Sequence, residues 1–377
     1  MRVVALPFER VFEDTSSGNL KVQKGDYVSV GRHPIVDQGQ EFVGGFTDDP
    51  AYLVKGKGPW IIFGDHTRAL KFVDFPFCMG ADGVKVLKPK PDVEADPRFL
   101  YHFLSANEIP SAGYSRHYKF LKRLEIPLPP LPEQRRIAAI LDNADALRRK
   151  RKRAIELLDS LTQSIFLEMF GEEPKQLSRW GEPVPLSEVA NIGSGITKGR
   201  KLNGSSTRRV PYLAVVNVQD RRLELSAVKF IEATNAEIAR YRLELNDLLL
   251  TEGGDPDKLG RGTLWTGDLD EVIHQNHVFR VRIISNRILP LFLSWLVGSS
   301  YGKKYFLRVA KQTTGIASIN KTQLSAFPTI IPPLQLQQEF AQAAERIAGE
   351  ARRFALAVDQ VDTLFSSLQH RAFSGQL

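Results

Sequence analysis

The stretch Ile126–Leu161, IPLPPLPEQRRIAAILDNADALRRKRKRAIELLDSL, decides the fold because its framework returns later in the chain. TIIPPLQLQQEFAQAA, Thr329–Ala344, repeats it, with Pro129 and Pro130 matching Pro332 and Pro333 at an offset of 203 (332 − 129). No gap is needed over the roughly forty residues that follow. Leu131 matches Leu334, Gln134 Gln337, Ala154 Ala357, Leu161 Leu364, Ser164 Ser367, Ile165 Leu368 and Phe170 Phe373. Beyond its first turn, the region after each Pro-Pro pair has no proline and is rich in Ala, Leu, Arg, Glu and Gln, which predicts one long helix per copy. From Pro132 to Phe170 at about 1.5 Å per residue such a helix reaches roughly 58 Å.

Each predicted helix carries a heptad stripe. In the first copy it is Ile140, Ala144, Leu147, Ala154, Leu158, Leu161 and Ile165, interrupted by Arg151. In the second it is Ala343, Ile347, Phe354, Ala357, Val361, Leu364 and Leu368, interrupted by Glu350. Two helices of equal length with one seam each are expected to pair as an antiparallel coiled coil about a pseudo-twofold axis; the alternative is two core helices of one large globular domain. The remaining regions hold short β-rich runs punctuated by Gly, Asn and Asp: Tyr27–Val30, Trp60–Phe63 and Val84–Leu87, then Val210–Val216, Asp247–Leu250 and Val278–Ile283. IIFGD at Ile61–Asp65 resembles LLLTEGGD at Leu248–Asp255, and each is followed by a further strand near Val84 or Val278. The expected organisation is a mixed α/β chain with two dissimilar globular domains separated by two long helices. Its expected parts are a first domain at 1–126, a long helix at 127–171, a linker at 172–184, a second domain at 185–330 and a second long helix at 331–377.

Composition narrows the class. With 377 residues, 42% apolar, 25% charged and 9% aromatic, the profile is that of a folded protein of two or more domains, not a disordered or collagen-like one. The single cysteine, Cys78, reads as core and closes no intramolecular disulfide, which points to a reducing compartment. MRVVALPFER has no apolar signal core, and Leu289–Val297 is too short for a membrane span, so a cytoplasmic location with no membrane partner is expected.

The net charge is +8. Residues 131–171 hold eight basic and six acidic side chains and residues 331–377 hold four and five, so about +7 remains on the globular domains and their linkers. That distribution suits phosphate contacts on a duplex. Cationic and amide side chains near glycines are the candidate readers, because Arg reads guanine and Asn or Gln reads adenine. In the first domain these are Arg32, His33, Gln38, Gln40, Lys55, Lys57, Arg68, Arg116 and His117. In the second they are Thr197, Lys198, Arg200, Lys201, Arg208, Arg209, Lys258, Arg261, Lys311 and Gln312. The run Arg148–Arg153, RRKRKR, reads first as a solvated face or subunit contact, and second as a phosphate contact between half-sites.

No metal ligand set is expected: His274 and His277 in HQNH have no carboxylate or thiol at matching distance and read as structural. GSGITKGR at Gly193–Arg200 lacks the phosphate-loop order and reads as a flexible turn with cations. No Asn/Asp-Pro-Pro-aromatic methylation motif, dinucleotide fingerprint, zincin motif or nucleophile elbow occurs. A binding chain without catalysis of its own is expected.

On these residues the chain resembles the specificity subunits of type I restriction-modification systems. Ile126–Leu161 is similar to that family's central conserved region, Gly113–Leu124 and its echo Gly315–Leu324 to its lead-in, and GGDPDKLGRG and HQNHVF to segments of its second domain. The second copy departs from the pattern, with Leu336 and Gln338 where Glu133 and Arg135 stand. The resemblance implies that each variable domain reads one half of an asymmetric, split site in double-stranded DNA and that the helices set the unread spacer. It also implies docking of two methyltransferase subunits, joined by nuclease-translocase restriction subunits. S-adenosylmethionine, ATP and magnesium would belong to those partners and not to this chain. A type II arrangement, with one partner that both methylates and cleaves, and a scaffold without nucleic acid are the alternatives.

Overall fold

The computed structural model describes residues 4–377 apart from 112, 114, 172–173, 203, 205, 256–257 and 314, so Pro256 and Asp257 of the GGDPDKLGRG motif and two linker positions lie outside the described residues. The chain forms two compact units, Met1–Ala154 with Arg353–Leu377, and Ile155–Arg352. Two helices of 40 residues each, Leu131–Phe170 and Leu334–Phe373, contribute one end to each unit. Each starts directly after its Pro-Pro pair, where proline lacks an N–H that the first turn does not use.

In the first unit the strands are β1 (Val4–Pro7), β2 (Phe12–Asp14), β3 (Lys21–Val22), β4 (His33–Val36), β5 (Gly45–Thr47), β6 (Trp60–Gly64), β7 (Leu70–Val73), β8 (Cys78–Gly80), β9 (Val84–Pro89) and β10 (Glu125–Leu128). One antiparallel sheet has the order β2-β9-β6-β7, and a second, mixed sheet has the order β3-β8-β4-β5. β1 pairs with β10, so the globular part begins and ends on one two-stranded ribbon beside the long helix. Helix Pro97–Ala106 buries Phe99, Leu100 and Phe103 against Ile61, Phe63 and Leu87 of the first sheet and Ile137, Ala138 and Leu141 of the long helix. This is a continuous core, and losing one such Phe costs about 3–5 kcal/mol.

Within this unit the two long helices run antiparallel. Arg151 donates to the Ala357 carbonyl at 2.9 Å, Arg148 meets Asp362 at 3.4 Å, and Arg136 donates to the Leu377 carbonyl at 2.9 Å, so numbers fall on one helix as they rise on the other. Arg148 also lies over the Phe365 ring at 5.0 Å. Lys152 pairs with Asp362 at 3.8 Å, so Arg148, Arg151 and Lys152 of the basic run reach the other helix, while Arg149 pairs with Asp145 at 3.1 Å one turn back on its own.

The second unit repeats the plan with different residues. Its strands are β11 (Val184–Pro185), β12 (Ala190–Ser194), β13 (Arg208–Leu213), β14 (Val218–Gln219), β15 (Arg222–Leu223), β16 (Lys229–Ala233), β17 (Leu248–Thr251), β18 (Gly253–Gly254), β19 (Gly262–Leu264), β20 (Ile273–His274), β21 (Val278–Ile283), β22 (Lys311–Thr313), β23 (Ile316–Ser318) and β24 (Pro328–Thr329). The sheet β12-β21-β17-β19 matches β2-β9-β6-β7 strand for strand. The sheet β16-β13-β20 matches β5-β4-β8, with a parallel bridge from Ile196 to Gln275 where β3 stands in the first unit. β11 pairs with β24, as β1 does with β10. Phe166 and Phe170 of the first long helix pack with Phe292, Trp295 and Phe340, the last on the second long helix. Leu177 of the expected linker is buried in the same core.

Gln134 and Gln337, the matched pair of the repeat, are buried and make matching bonds. Gln134 accepts from the Asp96 N–H at 2.8 Å and donates to the carbonyls of Glu94 and Pro129 at 3.0 and 2.8 Å. Gln337 accepts from the Leu289 N–H at 2.8 Å and donates to the carbonyls of Arg287 and Pro332 at 3.0 and 2.8 Å. Asp96 and Leu289 are the N-caps of helices Pro97–Ala106 and Pro290–Gly298, so each glutamine ties a domain helix to a long helix by the same two bonds and braces its own Pro-Pro lead-in with the third.

The structure corrects two expectations. Leu147, Leu161, Phe354 and Leu364 of the expected seam are 46, 46, 36 and 57% exposed. Ile140, Ala144, Ala154, Leu158, Ile165, Ala343, Ile347, Ala357 and Leu368 are half-buried, and Val361 is buried. The buried face of the first helix instead runs through Gln134, Ile137, Ala138 and Leu141, and later through Thr162, Phe166 and Phe170. That face includes polar residues which a count of apolar positions passes over, and at each end it packs on a globular core as well as on the other helix. The run Tyr27–Val30 forms no strand: Val28 makes a single bridge to Phe46 and Val30 is exposed.

Candidate nucleic-acid interface

At one end of each four-stranded sheet the connecting loops gather. In the first unit, Phe63 pairs with Leu70 and Gly64 with Val84, which puts the turns 65–69 and 81–83 side by side. In the second, Leu250 pairs with Gly262, Thr251 with Val278 and Ser194 with Phe279, which gathers 195–201, 252–255, 258–261 and 275–277. One acidic residue closes each end with the same main-chain bonds. Asp65 N–H donates to the Gly83 carbonyl at 2.7 Å while its own carbonyl accepts from His117 at 2.8 Å. Glu252 N–H donates to the His277 carbonyl at 3.0 Å while its own carbonyl accepts from Ile319 at 2.9 Å. The side chains then diverge. The Asp65 carboxylate accepts from the Tyr118 N–H at 2.7 Å, whereas that of Glu252 pairs with His277 Nδ1 at 2.5 Å.

Of the first domain's candidate readers, Arg68 and Arg116 are exposed at this end. Arg68 has φ 63°, and its guanidinium donates to the Ile109 carbonyl at 3.0 Å. Gln38 is half-buried and braces the turn, its side-chain oxygen accepting from the His66 N–H at 3.3 Å and its carbonyl from the Thr67 hydroxyl. His117 is buried, with Nδ1 at 2.9 Å from the Asp65 carbonyl, so it is a strut and not a groove contact. Lys55 is exposed, its N–H held by Asn19 at 2.9 Å, and Lys57 is exposed two residues on. Arg32, His33 and Gln40 belong to the second sheet and its connections; Arg32 and Gln40 are exposed and His33 is half-buried.

In the second domain Thr197, Lys198 and Lys201 are exposed on the loop after β12. Lys258 and Arg261 flank the turn before β19, and Lys311 and Gln312 are exposed on β22, whose partner β23 pairs with Gly253 and Gly254 of β18. Arg200 is a correction. Its Nη2 meets Glu237 at 2.7 Å and donates to the Glu232 carbonyl at 2.8 Å, and this hydrogen-bonded guanidinium holds the Glu237 carboxyl down to about 2. Arg208 is engaged by Glu271 at 2.5 Å and Asn235 at 3.2 Å, and Arg209 lies over the exposed Phe230 ring at 4.7 Å. Both belong to β13 of the other sheet.

GSGITKGR is tighter than a flexible turn: a Cβ on Gly195 would fall 1.9 Å from the His274 carbonyl oxygen, so only glycine lets β12 continue past β20. His274 is fully buried, its Nδ1 is 2.7 Å from the Val278 carbonyl, and burial pushes its pKa down to about 4. It holds the β20–β21 turn in its neutral form, donating that N–H. Residue patterns gave no notice of Glu252 with His277, of Asp65, or of the cations Arg222 and Lys303, because bonds to main-chain atoms and approaches between distant segments leave no spacing to read.

Residues 12–157 match the family model described as type I restriction modification DNA specificity domain. Among curated proteins the chain is 23% identical over 313 residues to the type I restriction enzyme StySPI specificity subunit of Salmonella potsdam, covering 76% of this chain and 67% of that one. It is 23% identical to the EcoR124I/EcoR124II specificity subunit of Escherichia coli, covering 90% of this chain and 85% of that one. The fold is that of the type I restriction-modification S subunit from M. genitalium, with a TM-score of 0.57 over 99% of this chain and 96% of that one at 16% identity. Together with the repeated helix, the paired glutamines and two sheets of one topology, these likenesses make the chain similar, in sequence and in fold, to the specificity subunits of type I restriction-modification systems.

Proposed function

We propose that this chain is a noncatalytic recognition subunit that reads a bipartite, asymmetric site in double-stranded DNA. One domain takes each half, and the helix pair fixes the spacer. The observation that carries this reading is one sheet topology presented twice with unlike side chains at the loop ends. Equivalent scaffolds with different readers suit two different half-sites, where identical readers would suit a palindrome.

The chain works with partners that carry the chemistry. Two methyltransferase subunits use S-adenosylmethionine, and restriction subunits use ATP and magnesium. The exposed Leu147, Phe354, Leu356 and Leu364 of the first unit supply apolar helix surface for the methyltransferase. The direct test is to express the chain with its methyltransferase and map modified adenines. Two unlike half-sites separated by a fixed number of unread bases are expected, and exchange of residues 185–330 for another member's should change one half only. A continuous or palindromic site would overturn the reading.

A further inference from the structure

We propose that a cationic pocket beside β19 of the second domain seats a backbone phosphate of the DNA strand, gripping the duplex without reading its sequence. The inference rests on the DNA reading above and names the contact that reading leaves open. The pocket has a volume of about 390 Å³, and Arg222, Lys258, Arg261 and Lys303 line it with Asp220 as the opposing charge. Three separate segments supply the cations: the β14–β15 hairpin, the turn before β19, and helix Ser300–Val309.

The walls are fixed before any ligand arrives. The Arg221 N–H donates to the Gly262 carbonyl at 2.9 Å and ties the hairpin to β19. The Arg261 carbonyl accepts from Thr251 N–H at 3.1 Å. Gly260, at φ 72°, backs onto Phe306 so closely that a Cβ would lie 2.6 Å from the ring, which holds the turn against the helix that carries Lys303. Into this setting Arg261 places a buried Nε–H that finds no acceptor among the described residues. Its charge is therefore left uncompensated at Nε, which favours an oxyanion against the part of the guanidinium that lines the pocket. Lys258 meanwhile pairs with Asp255, a carboxylate that a phosphate can replace.

The lining also identifies which phosphate. Among the described lining residues there is no aromatic ring to stack a base, so a free nucleotide would gain only its phosphate contacts. A duplex backbone, whose bases are already stacked on one another, loses nothing by that absence. The pocket shares residues 258–261 with the loop end where the candidate readers gather, so a strand crossing that end meets it.

The test uses the full chain assembled with its methyltransferase on duplexes carrying the mapped site. The double variant Arg222→Gln/Lys303→Gln should make the dependence of log K on log salt less steep by about 1, while the methylated sequence stays the same. Single methylphosphonate substitutions that weaken wild-type binding at one or two positions beside the second half-site should have no effect on the variant. Asp220→Asn should act in the opposite direction and tighten binding, which a misfolded domain could not do. An unchanged salt slope and an unchanged phosphate footprint, with the wild type still bound, would overturn the pocket while leaving DNA recognition intact. A flat salt response of the wild type would remove the DNA reading and the pocket with it. Binding of ATP or inorganic phosphate that the double variant loses without any change in footprint would assign the pocket to a free phosphate compound and overturn the proposal.

Discussion

Gln134 and Gln337 show how much one amide can do when it is buried. Each satisfies one N–H and two carbonyls, and all three partners are main-chain atoms. Removing the amide strands those groups in the interior, at about 1–3 kcal/mol for a buried group left unmet. Gln134→Ala should therefore destabilise the first unit by about 2–4 kcal/mol, read from its denaturant midpoint. Gln134→Glu should not rescue it, because a carboxylate cannot donate to the carbonyls of Glu94 and Pro129; restored stability in that variant would refute the account. The sequence displays the matched pair at its offset but not its purpose. His117 and Arg200 illustrate the same limit from the other side: both looked like free polar readers, and both are consumed by Asp65 and Glu237.

At the scale of elements, the long helices were legible in their position, length and pairing, because proline placement and composition set those. The face was not. Arg148, over Phe365 and against Asp362, lies between the two helices, where a heptad count expects apolar residues. This separates two kinds of apolar position by experiment. Val361→Asp places an unpaired charge in a buried position and should lower stability by several kcal/mol. Leu147→Lys and Leu364→Lys, at exposed positions, should change stability by less than about 0.5 kcal/mol. The same two changes should weaken capture of the methyltransferase in a pull-down with the purified subunit. Normal capture by both would remove the exposed stripe from the docking surface. The strands divide likewise: Trp60–Phe63 and Val278–Ile283 were readable as buried runs, whereas Tyr27–Val30 has the composition of a strand but forms only one bridge.

For the molecule as a whole, the sequence shows a repeat whose helices match and whose globular parts barely do, yet the two globular parts share strand order and loop-end hydrogen bonds. Topology outlasts sequence here because sheet order depends on where apolar strands fall, as in Ile61–Asp65 and Leu248–Asp255, and not on which side chains fill the loops. The helices' role as a measure can be tested by removing one heptad from each, which shortens each by about 10 Å and keeps the packing face within about 20°. At about 3.4 Å per base pair, mapped sites should lose about three unread bases while both half-sites keep their sequence. Altered half-sites at the original spacing would contradict that role.

Because the glutamine at each junction grips only peptide groups, the socket it forms is blind to the side chains of the domain it holds. Any recognition cassette that offers a helix start with a free N–H and one carbonyl in that arrangement will seat there. New target sequences can therefore arise by whole-domain exchange or by unchecked drift of the loops, with no compensating change in the frame that bears them.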